Sequence, residues 1–140
     1  MSDPLRLKLR SALTEIQTLH QALADFAERH RLSTAARDAV TLAVEEIVTN
    51  IITHGYQGER NESIWIGVDL GADELMIHIE DTAPAYNPLL APRPDLESPL
   101  AERRPGGLGV YLSRQLMDGL EYRRLDGKNQ LTIRKRLSKT

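Results

Sequence analysis

Glu46 and Asn50 stand four residues apart in a stretch of helical periodicity, so their side chains share one face a turn apart. Around that helix Val40, Val44, Ile47, Val48 and Ile51 make the core side, and Asp38, Thr41, Glu45 and Thr49 the solvent side. Glu46 and Asn50 belong to neither. They share a flank with Ala39, Leu42, Ala43 and Thr53, whose small or apolar character implies partial burial. A carboxylate and a carboxamide at the edge of a core need partners. They are either an i,i+4 hydrogen-bonded pair or a site. In the second case Asn50 gives its amide oxygen to a hard cation such as Mg²⁺, and Glu46 orients or deprotonates a nucleophile. Asp81 repeats the anomaly, having the parity of Leu75, Ile77 and Ile79 and so facing the core at a strand end. It is either a turn-initiating Asp before Pro84 or an acceptor in a pocket, reading an amino group. Gly106-Gly107-Leu108-Gly109 enters a helix, where glycines let backbone amides approach an anion and the helix N-terminus favours negative charge. No Walker-type G-x-x-x-x-G-K-[ST] is present, and Leu112 stands where G-x-G-x-x-G needs its last glycine.

These residues require a scaffold, and the periodicities supply one. Leu5, Leu7 and Leu9 alternate with Arg6, Lys8 and Arg10, predicting a first strand. Leu13, Ile16, Leu19, Leu23, Phe26 and Ala27 form the stripe of a helix ending near Arg31. A second helix begins at Ser33 or Thr34 as cap and runs to about His54, where Gly55 stops it. Ile64, Ile66, Val68 and Leu70 alternate, as do Leu75, Ile77 and Ile79, with Gly71-Ala72-Asp73-Glu74 turning between them. The helix opened by the glycines reaches about Met117. Strands near Leu120–Leu125 and Gln130–Leu137 join through Asp126-Gly127, a hairpin turn. The pattern predicts one α+β domain over residues 1–140. It is a two-layer sandwich of a mixed, mostly antiparallel sheet with helices on one face.

Composition removes other classes. The 140 residues have a formal net charge of −2, which argues against direct nucleic-acid binding. No apolar run suits a membrane span or a signal peptide, and the absence of cysteine excludes thiol catalysis and cysteine-zinc sites. Together these point to a reducing cytoplasm. His20, His30, His54 and His78 lack metal-ligand spacing, and Ser63 and Ser113 lack a triad arrangement. Trp65 is out of the apolar register of its strand, as an interface or packing residue would be.

In order along the chain, Glu46-x-x-x-Asn50, strand-end Asp81, a variable loop and Gly-Gly-Leu-Gly resemble the GHKL ATPase superfamily of histidine-kinase-like ATPase domains. Residues 43–50, His54-Gly55-Tyr56, and the stretches Gly106–Gly109, Leu116–Asp118 and Glu121–Arg124 are similar to the anti-sigma-factor serine kinases in particular. That resemblance implies a two-layer fold, ATP and Mg²⁺ as ligands, and an ATP-dependent serine-protein kinase that acts as an anti-sigma factor. Its partners would be a sigma factor, an anti-sigma-factor antagonist as substrate, and a second copy in a homodimer. Residue by residue, Asn50 would coordinate Mg²⁺, Glu46 would be the general base on the attacking serine, and Asp81 would accept from the adenine amino group. Gly106, Gly107 and Gly109 would cradle phosphate, with Arg103 and Arg104 neutralising charge beside them. Asn129 stands where the family often has a threonine as second adenine contact.

The chain departs from the family after Asp81, where Ala83 and Ala85 replace the usual glycines. A positive φ or a close approach of adenine at Ala83 would cost on the order of 1 kcal/mol. This leaves a nucleotide-gated binding module without phosphotransfer as the alternative. Six of the seven prolines fall between Pro84 and Pro105. That is where the family places the loop closing over ATP, so residues 84–105 read as a lid.

Overall fold

The alternating leucines form β1 (Leu5–Ser11), an edge strand that turns Arg6, Lys8 and Arg10 away from the core and buries Leu9. A single 3₁₀ turn (Leu13–Glu15) then leads into α1 (Ile16–Arg29), which buries Leu19, Leu23, Phe26 and Ala27. The helical stripe predicts Leu13 on the same face, but Leu13 is 46% exposed. The 3₁₀ turn has three residues per turn, and this rotates Leu13 off the face the α-helical residues share. α1 stops because Arg31 turns left-handed (φ 53°) and the Leu32 amide returns to the Ala27 carbonyl at 2.9 Å, a Schellman closure. The computed structural model describes residues 3–57, 60–87 and 114–137.

Ser33 caps α2 (Thr34–Asn50), its hydroxyl accepting from the Ala36 amide at 3.1 Å. The helical run continues to Gly55 as expected, but its last five residues, Ile51–Gly55, form a π turn closed by the Tyr56 amide on the Ile51 carbonyl at 2.8 Å. β2 (Arg60–Leu70) and β3 (Glu74–Asp81) follow. Residues 114–116 are helical, at the end of the helix expected to reach Met117. β4 (Gly119–Leu125) and β5 (Lys128–Arg136) join at Asp126 and Gly127, both at positive φ as a type I′ hairpin needs.

The five strands lie in the order β1-β2-β3-β5-β4, and each pairing is antiparallel. The expected mixed sheet thus narrows to an antiparallel one, because the β4–β5 hairpin inserts its second strand against β3. α1 and α2 cover one face. Ile64, Ile66, Val68, Leu75, Ile77, Ile79, Leu131 and Ile133 meet Leu19, Leu23, Phe26, Val40, Val44 and Val48 there in one core. Full burial of each such side chain stabilises by about 1.5–3 kcal/mol. Among the described residues no helix is long and apolar enough to cross a membrane.

Candidate functional site

Strand register carries the first candidate residue into place. Asp81 pairs with Ile64 on β2 and with Asn129 on β5, so on β3 and β5 the last helix-facing pair is polar where the pairs before it are apolar. Both side chains are buried, Asp81 at 4% and Asn129 at 7% exposure. Asp81 Oδ1 accepts from the Ala83 amide and from Asn129 Nδ2, each at 2.9 Å. The Ala83 bond is the turn-initiating contact considered for this Asp. Oδ2 accepts nothing among the described residues, yet none of their fully buried side-chain polar atoms is left without a partner. Oδ2 is therefore not fully buried. Burial pushes the Asp81 carboxyl above the usual aspartate range, opposed by the Asn129 and Ala83 donors and by the Arg124 charge.

Asn50, Asp81, Gly55, Ala83, Tyr86 and Asn129 line one cavity, floored by Ile47, Ile79 and Leu131. Its free space is about 30 Å³, the room of a single water. Pro84 and Tyr86, which lie on the chain leaving β3, are part of its lining, and Tyr86 is 47% exposed. A larger depression of about 850 Å³ lies on the helix-free face of the sheet, around Lys8, Trp65, Gly67, His78 and Arg123. It contains none of the residues expected to catalyse or to bind nucleotide or metal, and Glu80 and Glu121, which also line it, are paired with Lys128 and Arg134. The smaller cavity is the candidate site.

The π turn sets the wall opposite Asp81. Extending α2 by a wider turn brings Gly55 against Ala83, so close that a Cβ at Gly55 would lie 3.2 Å from the Ala83 methyl. It also buries Tyr56. The Tyr56 hydroxyl donates to the Ser63 carbonyl at 2.9 Å, accepts from the Thr82 amide at 2.8 Å and lies 3.0 Å from the Thr82 hydroxyl. One phenol thus ties the end of α2 to β2 and to the exit of β3. Ala83 is buried, and its φ is not positive. The alanine in place of glycine imposes no backbone strain; its methyl instead takes space in the cavity.

Glu46 and Asn50 are each half-buried, and neither side chain hydrogen-bonds to the other or to any described residue. The i,i+4 pair is not formed, which leaves both groups available for a ligand. Asn50 lines the cavity, whereas Glu46, one turn earlier on α2, does not. His54 is exposed and outside the cavity. Gly106, Gly107 and Gly109, with Arg103, Arg104 and all of the expected lid beyond Asn87, lie outside the described residues. Among the described residues no three His, Asp or Glu side chains are grouped to hold a metal. An isolated amide oxygen at Asn50 still suits Mg²⁺, which keeps waters and phosphate oxygens for most of its shell.

The family model for the histidine kinase-like ATPase domain matches residues 9–135, which run from β1 into β5 and include every group of this cavity. The chain belongs to that family. This ATPase domain is 34% identical over 132 residues to the serine/threonine-protein kinase BtrW of Bordetella bronchiseptica, covering 94% of this chain and 92% of that one. It is 29% identical over 100 residues to the anti-sigma F factor of Clostridium perfringens, with 71% of each chain covered. The solved structure of the RsbU and RsbW domains of Rv1364c from Mycobacterium tuberculosis superposes with a TM-score of 0.71 at 17% identity, over 99% of this chain and 34% of that one. This ATPase domain therefore has the fold of that neighbour and stands in the branch whose relatives are named as protein-serine kinases and anti-sigma factors.

Asn129 is the residue the sequence undervalued. Leu131 and Ile133 face the core, so parity puts Asn129 on the same face, the signal that singled out Asp81. The alternation predicts a strand beginning near Gln130, whereas β5 starts at Lys128, and the difference left Asn129 outside the pattern.

Proposed function

We propose that the protein is an ATP-dependent serine-protein kinase acting as an anti-sigma factor. It would bind a sigma factor and phosphorylate a small antagonist of that complex on a serine. The observation that carries this reading is buried Asp81, with its Oδ2 free of described hydrogen-bond donors, lining the same cavity as Asn50. An acceptor held in an otherwise apolar slot selects a flat ring bearing an amino group, and adenine is such a ring.

Asp81 would hold the adenine, and Asn50, lining the same cavity, would serve the phosphate end of the nucleotide. Asn50 would give its amide oxygen to Mg²⁺, which when bound neutralises phosphate charge. Glu46, one turn before Asn50 on α2 and without a side-chain hydrogen bond among the described residues, would take the proton of the substrate serine hydroxyl. Its oxygen then bonds to the γ-phosphorus while the bond to the β,γ-bridging oxygen breaks and ADP departs. Gly106, Gly107 and Gly109 are assigned the phosphates by resemblance alone. The single domain over 1–140, the lid over 84–105, the homodimer and the cytoplasmic location belong to the same proposal.

Labelled Mg-ATP incubated with the protein and a candidate antagonist tests this. Label should appear on an antagonist serine, and Glu46→Ala should reduce it by about 100-fold or more while ADP still binds. ADP binding with no transfer to any antagonist would favour the nucleotide-gated module, which the narrow cavity and the Ala83 methyl support. No binding, no rise in melting temperature with Mg-ATP and no effect of Asn50→Ala would refute the nucleotide site.

A further inference from the structure

We propose that Asn129 is a positioning residue that sets base specificity, holding Asp81 as an acceptor toward the cavity and tying it to the chain leaving β3. The inference rests on the nucleotide reading and goes beyond it, because Asn129 is not assigned a contact with the base.

Its amide is fully engaged. Nδ2 donates to Asp81 Oδ1 at 2.9 Å and lies 3.2 Å from both the Ala83 and Pro84 carbonyls. The amide oxygen accepts from the Tyr122 hydroxyl and, at 3.3 Å, from the Tyr86 amide. These partners fix its orientation. Flipping the amide would set oxygen against Asp81 Oδ1 and N–H against the Tyr86 N–H, two repulsions in a buried site.

The fixed orientation has a chemical consequence for Asp81. Oδ1 meets only donors, Asn129 Nδ2 and the Ala83 amide, so the ionised form is the one these groups favour. The charged and titratable neighbours are Arg124 on β4, Glu80 on β3, and Tyr56 beyond Thr82; Tyr122 reaches Asp81 only through Asn129. Arg124 adds positive charge and itself donates to the Ala83 carbonyl at 2.7 Å. Oδ2 is then an acceptor that welcomes an exocyclic amino group and repels the carbonyl of a 6-oxopurine. The same amide grips Ala83, Pro84 and Tyr86, three successive parts of the cavity's outer wall, so the acceptor and that wall are placed together.

The test measures Mg-ADP and Mg-GDP binding by calorimetry from pH 5 to 8 for the wild type, Asn129→Ala and Asn129→Thr. The wild type should prefer ADP. Asn129→Ala should weaken ADP by about tenfold or more and GDP by much less, collapsing the preference. The pH at which ADP binding is half lost should rise, since the carboxylate has lost a donor. Asn129→Thr, which restores a hydroxyl donor, should recover most of the preference and return the midpoint toward the wild type. Equal weakening of both nucleotides with an unmoved midpoint would show Asn129 to be packing only and overturn the inference. A wild type that binds ADP and GDP equally would overturn it too. Binding of neither would remove the nucleotide reading along with it.

Discussion

Replacing Asp81 by asparagine separates the two things a buried carboxylate does at this site. The carbonyl of the substituted side chain would inherit the place of Oδ1, still accepting from Ala83 and Asn129. Its NH₂ would take the place of Oδ2 and turn the acceptor facing the cavity into a donor. For stability the sign follows from burial, which raises the folded-state pKa of Asp81 above its unfolded value. Stability from this group is therefore full below the unfolded pKa, near 4, and declines as pH rises through the folded one. Asp81→Asn lacks that decline, so its melting temperature at pH 7 should equal or exceed the wild type's, and the gap should close toward pH 4. For binding, one hydrogen bond to a charged acceptor is lost, worth about 1.5–3 kcal/mol, or roughly 10- to 150-fold in ADP affinity. Donor against donor adds to the loss, while a 6-oxopurine gains a partner, so GDP should bind the variant better than the wild type. Thermal melts from pH 4 to 8 and calorimetry with both nucleotides read the two effects. Unchanged ADP affinity, or a melting temperature several degrees lower at pH 7, would refute the assignment of Oδ2 as the reading atom.

Gly55→Ala should place a methyl 3.2 Å from that of Ala83 and push it toward the base, weakening ADP by roughly fivefold; Ala83→Gly should relieve the crowding and tighten ADP. Calorimetry on the two variants and their double mutant should show non-additivity, with the double mutant near the wild type. Tyr56→Phe leaves the Thr82 amide and the Ser63 carbonyl short of a partner, at about 2 kcal/mol, so a thermal melt should drop by roughly 6 °C.

What was legible from the chain is what two periodicities can carry. Alternation placed β2 and β3, and with them Asp81 on the inner face, because register on a half-buried strand is enforced by every apolar neighbour. Helical spacing placed Glu46 and Asn50 on the flank between core and solvent. The π turn was not legible, since it closes on contacts of Tyr56 with Ser63 and Thr82 that only the finished sheet creates. Asn129 was hidden for a different reason. Its signal was present, but a strand boundary two residues off removed it from the pattern.

Trp65 is the single tryptophan of the chain and lies on the helix-free side of the sheet, with the Lys8 and Lys128 ammonium groups 6.0 and 5.3 Å from its ring. The full thickness of the sheet separates its indole from the cavity. The protein's tryptophan fluorescence, excited apart from its tyrosines, is therefore a label for one side only. It will stay quiet when a nucleotide settles among Asp81 and Asn50, and will change when something displaces the two lysines and covers the opposite face.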